Sequence, residues 1–297
     1  MTLEQLRIFV AVAEREHMTR AALVLNMTQS AASSAIASLE KRHGVKLFDR
    51  LGRRISLNGT GKAFLSEAKA VLARSFIAEQ VLADLAGLRT GALSLAASQT
   101  IGNYWLPPRL SYFTKRYPGL SIKLVIGNTQ EVAALASEGE IDLGLVEGEV
   151  NDPTLSVIPI GEDELIVVSA PSQLVPLDQP DTKWLAGTPW VAREKGSGTR
   201  TAFEAALKSF GIKTSDRHIA LELPSNEAVR AAVEAGAGLA VMSRLVVSAS
   251  IMAGSLVALP LALRQRQFFL LRHKERYESQ AARAFLQAIE DFAPLMR

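Results

Sequence analysis

Apolar positions at helical spacing in residues 1–43 predict three short helices. Thr2 is the predicted N-cap of the first helix, Thr19 of the second and Thr28 of the third. A tight turn at residues 26–27 joins the last two helices. Two helices joined by so short a turn are typical of a helix-turn-helix.

The third predicted helix, over residues 29–42, has two contrasting faces. One face is apolar and suited to a core, and it carries Ala32, Ala35, Ile36 and Leu39. The opposite face has little bulk, and it carries Ser30, Ser33, Ser34 and Ala37. Such a face can enter a DNA major groove and contact base edges. A solvated surface is the alternative, although solvated helix faces usually carry Glu, Lys and Gln.

A basic hairpin is predicted after this helix, in the segment GVKLFDRLGRRISLNGTGKAF. Its pattern indicates two strands joined by a tight loop at residues 51–52. A basic β-wing beside a helix-turn-helix would contact the phosphates that flank the groove. Helix and wing together favour nucleic-acid binding. The predicted DNA-binding residues are Thr28, Gln29, Ser30, Ser33, Ser34, Arg50, Arg53 and Arg54.

A single long helix is predicted from about residue 60 to residue 88, with Asn58 or Thr60 as its cap. Apolar residues lie near heptad spacing along it, among them Leu65, Ala68, Leu72 and Phe76. This stripe could pack on a second copy of the chain, which would match two-fold symmetric DNA sites. Packing into its own core is the alternative.

From residue 90 onwards, apolar runs of strand length alternate with helical patterns. The predicted strands are ALSLAAS, SIKLVIG, IDLGLVEG, DELIVVSAP and HIALEL, and the predicted helices cover roughly 104–117, 130–138, 200–210, 226–235 and 278–292. This alternation predicts an α/β fold with mostly parallel sheets, whose strands are covered on both faces. About 200 residues are enough for two such lobes.

Composition and charge exclude several classes of protein. The chain of 297 residues has no cysteine, which excludes disulfides, thiol catalysis and Cys-ligated metal sites. Residues 1–62 carry ten Lys or Arg against five Asp or Glu, so the rest of the chain has a net charge of −2 out of the total of +3. Only the N-terminal part is therefore expected to meet a polyanion.

Export and membrane insertion are not expected. The N-terminus has charges threaded through it and lacks the apolar core of a signal peptide. The uncharged run over residues 245–263 contains Gly254 and Pro260, which divide it into a helix end, a turn and a short strand. A cytoplasmic location without membrane contact is therefore predicted.

No motif of an enzyme is found. The segment NGTGKA is not a phosphate-binding loop, because Ser56 replaces the required glycine and Ala63 the required Ser or Thr. No G-x-S-x-G occurs, and the four histidines lack metal-ligand spacing. We expect no catalytic residues, no metal and no cofactor. A cytosolic solute-binding protein without a DNA function is the alternative, although it leaves the basic N-terminal part unexplained.

The segment TRAALVLNMTQSAASSAIASLEKRHGVKLFDRLGRRISLNGTGKAFL closely resembles the DNA-binding domain of LysR-type transcriptional regulators. The segments GALSLAASQTIGNYWLP, IDLGLVEG and EAGAGLAVMSR resemble parts of that family's effector-binding domain. The family usually has proline where Ser30 stands, and many members have Lys or Arg where Ser34 stands. The bases that Ser34 would contact are therefore not predicted.

The resemblance implies an all-α winged helix-turn-helix domain followed by a two-lobed α/β domain with the fold of type 2 periplasmic binding proteins. It divides the chain into a DNA-binding domain (1–59), a dimerising linker helix (60–89) and an effector-binding domain (90–297). Lobe I would cover about 90–161 and 266–297, and lobe II about 162–265. It further implies a homodimer formed through the linker helix, a homotetramer, promoter DNA, possible contact with RNA polymerase, and a small effector in the cleft between the lobes.

Effector residues are expected where strands end and helices begin, because free N–H groups there favour anions. The candidates are Ser98, Thr100, Thr129, Glu147, Ser197, Thr199 and Asn226. N-capping is the alternative role for the hydroxyl and amide side chains. Glu147 would either bind a ligand hydroxyl or protonated group, or face solvent, and Lys195 or Arg200 could balance an anion. A small organic or inorganic anion is the expected effector.

Overall fold

The computed structural model describes residues 1–51, 54–85, 91–173, 180–213 and 218–292. Contacts group residues 1–85 in one compact unit and nearly all the later described residues in a second.

Within its described residues, the first unit consists of four helices and one hairpin. Its elements are α1 (Leu3–Arg15), α2 (Met18–Val24), α3 (Gln29–His43), β1 (Phe48–Leu51), β2 (Arg54–Leu57) and α4 (Gly59–Leu85). The antiparallel strands β1 and β2 form the predicted wing, in a register that places Phe48 opposite Leu57. The predicted helix-turn-helix with a hairpin behind it is thus confirmed.

Two of the three predicted caps are confirmed. Thr2 forms a capping box with Gln5, and the Thr28 hydroxyl accepts a hydrogen bond from the Ala31 N–H at 3.2 Å. The prediction for Thr19 is wrong, since His17 caps α2. The chain leaves α1 through Glu16 in the left-handed conformation and is already extended at His17, so α2 begins earlier than the threonine.

The core of the first unit surrounds Phe9, whose ring lies 5.7 Å from that of Phe48 and 4.9 Å from that of Phe64. Phe64 lies half-buried on α4, and Ala68 on the next turn is fully buried in this core. Further along α4, Leu82 is exposed. Core packing therefore describes the first half of α4, and the second half leaves apolar side chains without cover from its own unit. Of the two predicted caps, Asn58 fills the role, because its Oδ1 accepts a hydrogen bond from the Gly61 N–H at 2.8 Å.

The second unit alternates strands and helices along the chain. In order they are β3 (Gly91–Ser98), a π-helix (Ile101–Trp105), α5 (Leu106–Arg116), β4 (Leu120–Gly127), α6 (Thr129–Glu138), β5 (Leu143–Glu147), β6 (Leu155–Asp163), β7 (Leu165–Ser169), α7 (Thr182–Gly187), β8 (Trp190–Arg193), α8 (Gly198–Ser209), β9 (Ile219–Leu223), α9 (Asn226–Glu234), β10 (Ala240–Ser243), α10 (Arg244–Met252), β11 (Val257–Ala258), β12 (Arg266–His273) and α11 (Gln280–Phe292).

These elements form two lobes, each with its own sheet and core. The sheet of lobe I has the strand order β4-β3-β5-β12-β6. Lobe II contains the strands β10-β7-β11 and β8-β9, which a bridge between Trp190 and Leu239 connects. The chain passes from lobe I to lobe II between β6 and β7, and it returns with β12.

The prediction of mostly parallel sheets is wrong. β3 is parallel to β4 and β5, and β8 is parallel to β9. However, β12 runs antiparallel to both β5 and β6, and β10 and β11 run antiparallel to β7. The reason is topological, since a strand that returns from the second lobe and inserts beside the outgoing strand must run in the opposite direction.

Burial on both faces is confirmed for the central strands β5 and β7, in which every residue is buried. It is wrong for β4 and β9, in which Val125 and Leu221 are exposed. Both strands lie at sheet edges, where one side of the strand has no neighbour. The uncharged run at 245–263 contains the predicted turn, with Gly254 at φ +73°, and the predicted short strand β11, but its helical part is nearly all of α10 and not only a helix end. Within the described ranges, no helix is both long and apolar enough to cross a membrane.

Candidate DNA-contacting surface and inter-lobe cleft

The two faces of α3 separate in the structure as their composition predicts. Its apolar face lies in the core, with Ala32, Ile36 and Leu39 buried and Ala35 half-buried. On the other face Ser33 is half-buried, and the exposed residues are Gln29, Ser30, Ser34 and Ala37. Thr28 caps the helix, and its hydroxyl also shares a hydrogen bond with Ser30 Oγ at 3.0 Å. The packed face fixes α3, while the small polar face remains accessible.

A groove of about 1020 Å³ runs along this accessible face. Gln29 and Ser33 line it, together with the cationic side chains Arg15, Arg20 and Lys46. These cations belong to the end of α1, to α2 and to the segment before β1. The fold thus places cations from three elements beside the residues predicted to contact bases, together with the carboxylates of Glu16, Glu40 and Asp49, which line the same groove.

Of the three wing arginines predicted to bind phosphates, the structure describes only the backbone of two. Arg50 lies opposite Ile55, and Arg54 lies opposite Leu51 in the hairpin. Their side chains lie outside the described parts of the structure, as does all of Arg53. Their contact with phosphates stays a prediction.

All seven predicted effector residues are buried where the two lobes meet. Ser98 ends β3, Glu147 ends β5 and Thr129 begins α6, all in lobe I. Ser197 and Thr199 lie at the start of α8, and Asn226 begins α9, all in lobe II. Thr100 directly precedes the π-helix. The relative exposure of these residues ranges from 0% at Thr100 to 8% at Thr129.

Hydrogen bonds join these residues across the cleft at two places. At the first, the Thr129 hydroxyl donates to the Glu147 carbonyl oxygen at 2.8 Å and accepts from the Gly198 N–H at 3.1 Å. Beside it, the Gln130 N–H donates to the Gly196 carbonyl oxygen at 3.1 Å. The two lobes therefore touch through backbone and hydroxyl groups at this position.

The second place joins Asn226 to lobe I. Its side-chain Nδ2 donates to Thr100 Oγ1 at 3.0 Å, and its backbone N–H donates to Gln99 Oε1 at 3.0 Å. From its own lobe, Arg193 donates to the Asn226 Oδ1 at 2.7 Å. Asn226 is therefore satisfied on both sides of the cleft.

N-capping accounts for only one of the hydroxyl and amide candidates. Ser197 caps α8 by accepting a hydrogen bond from the Thr199 N–H at 3.2 Å. Ser225, rather than Asn226, caps α9, and Thr100 makes no capping bond. At α6 the cap is Asn128, whose Oδ1 accepts from the Glu131 N–H at 3.0 Å. No described helix is therefore capped by the side chain of Thr100, Thr129 or Asn226.

Arg266, which the sequence pattern did not single out, forms the centre of the cleft. Its Nε donates to Asp163 Oδ2 at 2.7 Å, which fixes the guanidinium group. The other two nitrogens donate to Thr199 Oγ1 at 3.2 Å and to Thr100 Oγ1 at 3.4 Å. Arg266 begins β12, so one lobe I cation holds a hydroxyl from each lobe. The sequence signal that could have identified it is the period of two along β12, which places Arg266 on the same face as the apolar Phe268 and Leu270.

Glu147 points into this cluster and not into solvent, so the solvent-facing alternative is wrong. The carboxylate accepts a hydrogen bond from the Ser98 hydroxyl, and it lies 3.9 Å from Arg266. Asp163 also accepts the Ser243 hydroxyl at 2.6 Å. The centre of the cleft therefore holds one guanidinium and two carboxylates, all of them buried.

The two cations predicted to balance an anion do not face the cleft centre as free charges. Lys195 is exposed. Arg200 donates to Glu204 at 2.9 Å and to Glu222 at 2.7 Å. Burial alone would lower the pKa of Arg200, but these hydrogen bonds and charges outweigh burial and raise the pKa above its ordinary value. Arg266, and not Arg200 or Lys195, is the cation whose side chain lies between Asp163, Thr100 and Thr199.

Two family models match the chain and together cover most of it. Residues 86–294 match the LysR substrate binding domain, and residues 3–62 match the bacterial regulatory helix-turn-helix proteins of the lysR family. The chain belongs to the LysR family of transcriptional regulators. It is therefore a DNA-binding regulator with an effector-binding domain, as the sequence resemblance implies.

Known proteins similar to this LysR-family regulator align with 70% to 99% of its length. The HTH-type transcriptional regulator YeiE of Escherichia coli K12 is 36% identical over 288 residues, which are 96% of each chain. Full-length CbnR, solved in complex with its target DNA, superposes with a TM-score of 0.71 at 22% identity and covers 99% of this chain and 100% of its own. The regulatory domain of Synechocystis PCC6803 CcmR, solved in complex with 2-PG, superposes with a TM-score of 0.62 at 24% identity, over 70% of this chain and 99% of its own. At these identities the two structures show the shared two-domain and regulatory-domain folds.

Proposed function

We propose that this LysR-family regulator binds promoter DNA through α3 and the wing, and that a small anion bound between the lobes controls this binding. We assign residues 1–59 to the DNA-binding domain, 60–89 to the dimerising linker helix and 90–297 to the effector-binding domain, and we assign no catalytic role, metal or cofactor. We also propose a cytoplasmic location, because the protein must reach promoter DNA there. A solute-binding protein without a DNA function would leave α3 and the groove beside it without a role.

The observation that carries the effector site is the guanidinium of Arg266, which donates to a hydroxyl of each lobe. A guanidinium presents several fixed N–H donors, and it suits planar or tetrahedral oxyanions. A ligand oxyanion that replaces Thr100 or Thr199 as acceptor would free that hydroxyl to donate to the ligand as well. Ligand binding would then depend on both lobes at once.

Glu147 adds a second requirement for the ligand. Its carboxylate is 1% exposed and would repel another negative charge brought against it. The part of the ligand that approaches Glu147 should therefore carry a hydroxyl or a protonated group. We infer a small hydroxylated or partly protonated anion, whose charged end meets Arg266 and whose donor meets Glu147. The complex of the CcmR regulatory domain with 2-PG supports a small-molecule ligand for this fold.

The exposed second half of α4 supports a homodimer. Phe76 is 37% exposed and Leu82 is 68% exposed, and apolar side chains in this position gain free energy when a second helix covers them. A dimer would present two copies of α3 to the two halves of a symmetric site. We propose pairing of such dimers into a tetramer and, at the promoter, contact with RNA polymerase. Effector-dependent closure of the lobes would alter this assembly and thereby its hold on DNA.

The effector site can be tested with a panel of small organic and inorganic anions and the full-length protein. An anion that binds in the cleft should raise the Tm of the wild type and change its affinity for promoter DNA. Thr199→Val removes one hydroxyl next to Arg266 but leaves the pair with Asp163, and it should abolish this response. Thr201→Val, an exposed position on the same helix, is the matched control. An unchanged response in Thr199→Val would contradict the assignment.

A further inference from the structure

Glu16 adopts a backbone conformation that disfavours its side chain. It follows α1 with φ 46° and ψ 33°, in the left-handed region that glycine and asparagine occupy most easily. The other described non-glycine residue with positive φ is Asn26, which suits that region. A glycine would relieve the backbone at Glu16, so the side chain itself needs an explanation.

The carboxylate of Glu16 supplies that explanation at the wing. Its Oε1 accepts a hydrogen bond from the Leu57 N–H at 2.7 Å. Leu57 is the last residue of β2, so Glu16 attaches the C-terminal end of the hairpin to the helix-turn-helix. Hydrogen bonds to a charged acceptor are among the stronger ones in proteins.

Glu40, on α3, holds the N-terminal end of the hairpin. Its Oε1 accepts a hydrogen bond from the Leu47 N–H at 2.9 Å, and its Oε2 accepts one from Lys46 Nζ at 2.8 Å. Leu47 directly precedes β1. Glu40 is buried, and it lies close to the C-terminal end of its helix, where a negative charge is unfavourable. Like Glu16, it occupies a position that local preference does not explain.

A third contact joins the two ends of the hairpin to each other. The Asn58 N–H donates to the Leu47 carbonyl oxygen at 3.1 Å, and the Asn58 side chain donates to the Lys46 carbonyl oxygen at 3.0 Å. The segment before β1 and the segment after β2 are therefore tied together, and carboxylates of α1 and α3 attach them to the helix-turn-helix. This arrangement fixes the direction in which the hairpin projects from the domain.

We propose that Glu16 and Glu40 are positioning residues for DNA binding, because they hold both ends of the wing hairpin while α3 lies in the major groove of the DNA. Neither carboxylate has a reason to approach a phosphate, since like charges repel. Their effect on DNA passes through the direction of the hairpin and its arginines. The inference rests on the proposed role of the wing arginines in phosphate contact.

The substitution Glu16→Gly in the full-length protein separates positioning from stability. Glycine removes the carboxylate but relieves the left-handed backbone, so the Tm should stay the same or rise. A loosely held wing meets the DNA backbone at a lower effective concentration, so affinity for a duplex selected from a random pool by the wild type should fall by about tenfold. The plot of log affinity against log salt should become shallower by about 0.9 for each phosphate that the wing no longer neutralises.

Two further variants serve as controls. Asn26→Gly relieves a left-handed position in the same domain without touching the wing, and its Tm measures the gain that relief of the backbone alone gives. Glu16→Gln keeps an acceptor for the Leu57 N–H, and it should restore most of the affinity that Glu16→Gly loses. If Glu16→Gly binds like the wild type, or loses affinity only together with Tm, the positioning role is wrong.

The double variant Arg53→Ala, Arg54→Ala tests the wing itself. If it retains full affinity and salt dependence, the proposed phosphate contacts fail, and the inference fails with them. If it weakens binding while Glu16→Gly does not, the wing contacts stand and only the positioning role is refuted. Weakened binding in both, with the wild-type Tm retained in Glu16→Gly, supports the inference.

Discussion

Gly198 lies where the lobes meet, and its replacement by alanine should force them apart. A Cβ at this position would lie 2.0 Å from the Glu147 carbonyl oxygen and 2.8 Å from the Glu147 Cγ. Ordinary contacts of this kind need about 3.2 Å or more, so the gap must open by roughly 1.2 Å. Gly198 also begins α8, where alanine favours the helix by up to about 1 kcal/mol. The clash therefore acts on the lobe contact and not on the stability of lobe II.

The cost of this opening follows from the bonds that it breaks. The bond from residue 198 N–H to Thr129 Oγ1 starts at 3.1 Å, as does that from the Gln130 N–H to the Gly196 carbonyl oxygen. An added separation of about 1.2 Å takes both beyond hydrogen-bond distance. At about 0.5–1.5 kcal/mol each, their loss disfavours the closed arrangement by roughly 1–3 kcal/mol, or about fivefold to 150-fold.

Hydrogen–deuterium exchange of the full-length protein measures this change directly. In Gly198→Ala, peptides that contain the amides of residues 130 and 198 should exchange faster, while peptides from β5 and β7 should keep their protection. Gly187→Ala is the matched control, because nothing lies within 4 Å of a Cβ at that position. Unchanged exchange at residues 130 and 198 would refute the closed contact as a determinant of the cleft, and so would a general loss of protection across lobe II.

Two further predictions concern buried charges. Arg266→Met leaves Asp163 and Glu147 buried without their cation, so the free energy of unfolding measured by chemical denaturation should fall by about 3–5 kcal/mol. Adding Asp163→Asn should recover part of this loss. Equal stability of the single and double variants would contradict the pairing. Burial alone would raise the pKa of Glu40, but hydrogen bonds from Leu47 and Lys46, the Lys46 charge and the Phe48 N–H hold that pKa below its ordinary value. Its contribution to stability is therefore complete above the unfolded pKa and is lost as the pH falls through the folded pKa, so Glu40→Gln should flatten the acid side of the Tm profile below about pH 4.3. A parallel loss of Tm in wild type and variant on acidification would show that Glu40 is not involved.

Local features of the fold could be predicted from the sequence because they depend on neighbouring residues. The two faces of α3 follow from helical periodicity, and the caps at Thr2 and Thr28 follow from side chains one turn away. The failure at Thr19 has the same origin, since the true start of α2 depends on the left-handed residue Glu16 and not on the threonine. A residue's conformation at a helix end is set by the turn before it, which a cap pattern does not contain.

Strand direction and edge position were beyond the sequence pattern. The apolar run of β12 is compatible with either direction, and only its insertion between β5 and β6 makes it antiparallel. Val125 and Leu221 belong to apolar runs like those of the central strands, yet they are exposed because nothing pairs with the outer edges of β4 and β9. Such pairing depends on contacts that are distant in the chain.

The cleft was predicted in part for a similar reason. The hydroxyl candidates follow strands or begin helices, and the fold places all of them at the meeting of the lobes. Arg266 was missed because its partners Asp163, Thr100 and Thr199 are far away in the sequence. A lone cation at an inward position of an apolar strand is visible in a sequence, but its charge partners are not.

If α3 selects DNA sites through its small polar face, a change on that face should alter which genomic fragments the protein binds. Full-length protein is mixed with fragments of its own genome, and bound fragments are compared among the wild type, Ser33→Glu and Ser111→Glu. Ser33 lines the groove beside α3, whereas Ser111 is an exposed serine on α5 and receives the same added charge and bulk. We expect that the wild type and Ser111→Glu recover the same few sites with two-fold symmetry, and that Ser33→Glu recovers none of them. Equal recovery of those sites by Ser33→Glu would contradict the role of this face.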